Sequence, residues 1–121
     1  MKKYFLDTIY NRQKSFYKKA VIFEDEKTGD KWLISYDTLV AKIIDDKIYR
    51  CWSGYSKTTQ NHINEFLDQN GFGEHTGKKA WSEVEYNNEI EQEFKPIYDC
   101  FSFEGTLSQV SYYQEKYYYN F

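Results

Sequence analysis

The chain has 121 residues, 40% of them hydrophobic and 29% charged, a balance that sustains one packed core without disulfide or metal staples. Its net charge of −3 sets up no global basic field to gather nucleic acid, and no run approaches the roughly 18 apolar residues needed to span a bilayer. Aromatic residues, at 21%, are the excess: 13 Tyr, 9 Phe and 3 Trp favour a binding role, because a tyrosine ring seeks burial while its hydroxyl seeks a partner or water.

The charge is uneven along the chain. Residues 1–57 carry 12 Lys/Arg against 8 Asp/Glu, and residues 58–121 carry 4 against 11, so a local basic patch in the first half is compatible with the acidic total. Cys51 and Cys100 form no CxxC pair, and the opening MKKYFLD lacks an apolar signal region, which together suggest a cytoplasmic, reducing setting. No repeat or Pro/Gly linker divides the chain, so residues 1–121 are expected to form one domain.

After a mixed N-terminal arm, FYKKAVIFE (16–24) has the β-branched and aromatic content of a strand, and EKTGD (26–30) supplies a turn into KWLISY. In KWLISY, Trp32, Ile34 and Tyr36 alternate onto one face. LVAKII (39–44) continues after Asp37 and Thr38, and Asp45-Asp46 sits where a two-residue hairpin turn belongs, since Asp tolerates the left-handed conformation. KIYRCW then returns antiparallel, which pairs Ile43 with Ile48, Ala41 with Arg50 and Leu39 with Trp52.

A helix over 57–70 follows. Ser56 or Thr58 can cap it, Ile63, Phe66 and Leu67 recur at i, i+3, i+4, and Asn70-Gly71 ends it. Glu65 and Asp68 oppose the macrodipole, so this helix must pack to survive. Beyond Gly77, Ser82 with Glu85 offers a capping box for a short helix, although the apolar spacing fits poorly. IYDCFSF, TLSQVSYY and KYYYNF read as strands of a C-terminal tyrosine-rich β meander.

Several groups of residues bear on function. Arg50, Ser56, Lys57, Thr58 and Thr59 gather near the helix start, where free backbone N–H groups favour an anion and hydroxyls with a cation would complete a phosphate or carboxylate seat. Plain N-capping by Ser and Thr explains most of that segment equally well, and the P-loop spacing is missing. Arg50 could also snorkel to the sheet edge or pair with Asp37. His62 and His75, thirteen apart, have no metal-ligand spacing with either cysteine, and His62 is expected at the core border. Neither a metal nor a cofactor is expected.

Glu83, Glu85, Glu89, Glu91 and Glu93 read first as a solvated acidic face and second as a surface for a basic protein groove. Tyr112, Tyr113, Tyr117, Tyr118, Tyr119 and Phe121 offer stacking platforms or protein-binding anchors, and strand alternation would bury about half of them.

The run SYDTLVAKIIDDKIYRCWSGYSKTTQNHINEFLDQNG, Ser35 to Gly71, resembles a small domain of phage, plasmid and other mobile-element proteins of Gram-positive bacteria. In that family a SYxTxVA strand leads to a GYSxTTxxHIxEFLxQNG helix. The resemblance implies no particular activity, since no chemistry is assigned to that family. It implies a cytoplasmic accessory protein of a mobile element whose partner is a host protein or nucleoprotein complex.

These readings converge on an α+β domain: an antiparallel sheet of four or more strands, the helix of residues 57–70 on one face, and the C-terminal meander. The expected function is non-enzymatic, a binding protein that occludes a macromolecular partner such as a host defence nuclease, in the manner of an anti-CRISPR inhibitor. The alternative is a nucleic-acid-binding accessory protein that grips phosphate at the helix start and stacks bases on tyrosine. No membrane partner is expected.

Overall fold

A computed structural model describes residues 2–89, in which five strands lie side by side in chain order: β1 (Lys2–Phe5), β2 (Ala20–Glu24), β3 (Lys31–Ser35), β4 (Thr38–Ile44) and β5 (Lys47–Arg50). Every neighbouring pair is antiparallel, so turns and loops suffice to connect them. Helix α1 (Lys57–Gln69) packs on one face, and α2 (Lys78–Ser82) follows a single 3-10 turn at Gly73–His75. The fold is therefore the expected α+β class. The C-terminal meander, with Glu91, Glu93 and the tyrosines from Tyr112 onward, lies outside the described residues.

Turn chemistry sets the strand boundaries. Asp45 and Asp46 both take left-handed angles (φ 53° and 62°), forming the two-residue connection that matches the twist of β4 and β5. Ile43 opposes Ile48 and Ala41 opposes Arg50, as the spacing predicts. Leu39 does not pair with Trp52, because β5 ends at Arg50, and a bulge shifts the β3–β4 register so that Leu33 faces Ala41 while Ile34 faces Leu39. Val40 thereby joins the helix-side core and Leu39 goes with Ile34 to the other face.

The strand expected from Phe16 starts only at Ala20. Tyr17 and Lys18 adopt φ of 52° and 64°, closing a turn in which Lys19 N donates to Phe16 O at 2.9 Å. Tyr36 departs as well: it leaves the line of Trp32 and Ile34, takes φ 56° in the β3–β4 turn, and tilts its ring against His62 with centroids 5.5 Å apart. Three bulky non-glycine residues in this region cost roughly 1–3 kcal/mol each. The N-terminal arm is also more ordered than its sequence suggests, since β1 pairs fully with β2.

The sheet is buried on both faces. Ile22, Leu33, Val40, Ala41, Ile43 and Ile48 meet Ile63, Phe66 and Leu67 of α1, together with Leu6, Phe16, Trp81 and Val84. On the opposite face Val21, Phe23, Trp32, Ile34 and Leu39 are buried too. That face also holds Lys42, only 1% exposed, whose ammonium donates to Glu89 O at 2.8 Å and to Asn87 Oδ1. Burial of both faces is why these strands read as nearly continuous apolar runs instead of alternating ones.

Ser56 caps α1, its hydroxyl accepting from Thr59 N at 3.1 Å, and Asn70 with left-handed Gly71 (φ 83°) ends it. Glu65, unfavourable towards the macrodipole, is fully buried and compensated. Its carboxylate accepts from Tyr10 N and Asn11 N, at 3.0 and 2.7 Å, and from Gln69 Nε2 at 2.7 Å. The capping box expected at Ser82 does not form: Ser82 is the last residue of α2, and its hydroxyl donates back to Lys79 O.

Candidate functional site

The chain leaves β5 at Arg50 and reaches α1 through six residues, and this loop forms one wall of a cleft of about 210 Å³. Cys51 anchors the loop's beginning: its N–H donates to Val40 O at 2.9 Å and its fully buried thiol donates to Asn87 O at 3.4 Å. Trp52 then leans half-buried on the core. Gly54 lies directly over that indole. A Cβ at this position would stand 2.4 Å from Trp52 Cζ2, so only glycine lets the loop close on the ring.

The opposite wall is α2. Asn64 on α1 fixes where it begins, because Asn64 Oδ1 accepts both from Gly77 N and from Gln60 Nε2, each at 2.9 Å. Gly77 turns the chain with φ 94°, and α2 brings Lys78 and the nearly buried Trp81 to the cleft. Lys78 Nζ stands 4.5 Å from the centroid of the Tyr55 ring, a cation–π contact across the mouth. Two indoles, one phenol and two cations thus surround a space the size of a small ring and its substituent.

Arg50 forms the third side. Its Nε donates to Val84 O at 2.8 Å, its guanidinium lies 5.6 Å from the Tyr86 ring centroid, and its backbone exchanges bonds with Glu85 O and Asn87 N. These contacts aim the planar group, and no described residue claims its two Nη nitrogens by a hydrogen bond. It makes no pair with Asp37.

Of the five residues of the expected anion seat, Arg50, Ser56 and Thr59 line the cleft. Lys57 and Thr58 do not; they are exposed on the first turn of α1, and Lys78 supplies the second cation instead. The hydroxyls are also committed elsewhere, Ser56 to its cap and Thr59 Oγ1 to Ser35 Oγ at 3.0 Å. The charged groups at this opening are therefore the guanidinium and the lysine, while the Ser56 and Thr59 hydroxyls are engaged within the protein. Lys78 and Trp81 were missed because nothing local in KKAWS marks α2 as a neighbour of residue 50, and Tyr55, though next to Ser56, faces Lys78 only through that same packing.

His62 is deeper than the core border. It is 1% exposed, its Nδ1 lies 2.7 Å from Ser35 Oγ, and the Phe16 ring packs edge-on at 4.5 Å. Burial pushes its imidazole down to about 4, so it is neutral at pH 7. A serine, histidine and threonine in contact suggest nucleophilic chemistry, but Ser35 and His62 have no solvent access through which a substrate could arrive. Among the acids, Glu83 and Glu89 are exposed, and Glu85 pairs at the surface with Lys47 at 2.9 Å.

A small meander sheet with one capped helix and a cationic, aromatic cleft at its start defines the class of protein. The chain belongs to DUF8033, a family of unknown function, whose model matches residues 4–83, a range that includes every residue lining the cleft. No curated protein and no solved structure matches it. Among the described residues no helix is long and apolar enough to cross a membrane.

Proposed function

We propose that this chain is a non-enzymatic binding protein that grips a macromolecular partner by an anionic group and the flat ring beside it, both held in the cleft. One observation carries this reading: Arg50 and Lys78 flank Trp52, Trp81 and Tyr55 around a single opening. Cations next to aromatic faces suit a phosphate or carboxylate attached to a ring, with charge fixing the head and stacking fixing the body. Contact rather than bond-making is favoured because, among the described residues, the lining offers hydroxyls with no imidazole or carboxylate in it.

The resemblance of residues 35–71 to mobile-element domains supports an accessory protein of a phage or related element, acting in the bacterial cytoplasm. Occlusion of a host defence nuclease, the anti-CRISPR mode, is the form of contact this origin favours. The exposed carboxylates of Glu83 and Glu89, just past α2, suit the rim of a basic protein groove.

Intrinsic fluorescence tests the cleft directly, since two of the three tryptophans line it. Phenyl phosphate should quench and shift the emission saturably, and Arg50→Ala with Lys78→Ala should abolish the change while leaving the circular dichroism unaltered. Titration that never saturates, or that is indifferent to both substitutions, removes the proposal.

A further inference from the structure

The cleft is one part of a longer rim. The ends of all five strands meet there: Leu6 N bonds Ala20 O, Tyr36 N bonds Lys19 O, Thr38 pairs with Ser35, and Cys51 N bonds Val40 O. Thr59 of α1 touches Ser35 at the same end. Along this rim, from β1 to the cleft, stand Phe5, Tyr17, Tyr36 and Tyr55, four of the seven large apolar side chains exposed among the described residues. Tyr17 is 67% exposed. At Tyr17, Lys18 and Tyr36 the left-handed backbone turns the side chains of Tyr17 and Tyr36 outward instead of continuing the strands.

Charge follows the same geography. Lys18, Lys19 and Lys57 are exposed at this end, alongside Arg50 and Lys78, and face only Asp7 and Asp37 nearby in sequence and turn. Lys3 and Lys18 both bring their ammonium groups over the Phe5 ring, at 4.9 and 5.6 Å. The opposite end carries more acids than lysines: the β2–β3 turn holds Asp25, Glu26 and Asp30 beside Lys27, and Asp45 N bonds Asp30 Oδ1, which joins that turn to Asp45-Asp46. Lys27, Lys31 and Lys47 stand among those acids at the far end, whereas Lys18, Lys19 and Lys57 are interleaved with exposed rings at the rim.

We infer that the partner's anionic, ring-bearing element is single-stranded nucleic acid, laid across this rim from the Phe5 corner to the cleft. The inference rests on the reading of the cleft as a seat for an anion and a ring, and adds the track that leads to it. Repeated phosphates match cations spaced along the rim, and unstacked bases match rings that point outward. Four strand spacings, about 19 Å, separate β1 from β5, so the rim accommodates several nucleotides. A duplex hides its base faces and gains nothing from those rings.

Fluorescence anisotropy of a labelled oligothymidylate tests it, with the double variant Lys18→Gln and Lys19→Gln, which lies outside the cleft and removes the charges while keeping polar side chains. Binding should weaken steeply with salt. The double variant should lose about tenfold in affinity and lower the log–log salt slope by about 1.4, the value for two phosphate contacts on a single strand. Tyr17→Ala should weaken binding without changing that slope. If phenyl phosphate still fills the cleft while the oligonucleotide fails to bind, binds no better than its duplex, or ignores the lysine pair, the track is wrong and the cleft reading survives. If the cleft probe itself fails, both fall together.

Discussion

Ser35 Oγ and His62 Nδ1 lie 2.7 Å apart, both fully buried, joining β3 to α1 at the end of the sheet that carries the rim. Because burial lowers the His62 pKa from 6.5 to about 4, the unfolded chain takes up this proton before the folded one does. Its contribution to stability is complete above pH 6.5, declines as pH falls, and is fully lost below pH 4. Urea denaturation at pH 7 and pH 4 should differ by about 2–3 kcal/mol from this group. His62→Gln should remove that step, whatever it does to stability at neutral pH.

Replacement of Gly54 tests how the cleft wall is built. In Gly54→Ala the new methyl collides with the Trp52 ring, and either the loop or the indole must move. Overpacking of this kind costs about 1–3 kcal/mol. The emission of Trp52 should shift, and phenyl phosphate should bind at least several-fold more weakly while α1 keeps its amide-exchange protection.

Glu65 tethers the 9–14 loop to α1 through backbone N–H groups of Tyr10 and Asn11. Glu65→Ala leaves these donors without their acceptor in a buried place, and a loss of about 2–4 kcal/mol is expected. Hydrogen exchange at residues 10 and 11 should accelerate far more than exchange in β3 or β4. Equal acceleration everywhere would mean that the carboxylate holds the whole domain and not this loop.

The Asp45-Asp46 turn is open to improvement. Asp46 holds φ 62°, where glycine is at home, so Asp46→Gly should stabilise the domain by about 0.5–1 kcal/mol, read as a raised thermal midpoint. A lowered midpoint would show that the Asp46 side chain has a role of its own.

Local signals were legible in proportion to how local their causes are. The α1 cap, its apolar spacing, its Asn-Gly stop and the Asp-Asp hairpin all depend on neighbours in sequence, and each is where the residues indicate. The β3–β4 bulge was not legible, because an extra residue in a buried strand leaves no mark when both faces are apolar. Nor was β1, whose four residues gain order only from β2. At the site, Arg50, Ser56 and Thr59 could be grouped from their nearness in sequence, whereas Lys78 and Trp81 reach the cleft through the Asn64 tie to Gly77, a contact thirteen residues long.

The separation of the acidic Asp25–Asp30 and Asp45-Asp46 turns from the lysine-bearing end has a kinetic consequence. Among the described residues, acids outnumber lysines at one end of the strands and cations outnumber acids at the other, which sets a dipole along the sheet. If single-stranded nucleic acid is the partner, its field exerts a torque on such a body as well as an attraction and favours approach by the rim. Its encounter rate should therefore depend on ionic strength far more than its net charge of −3 suggests.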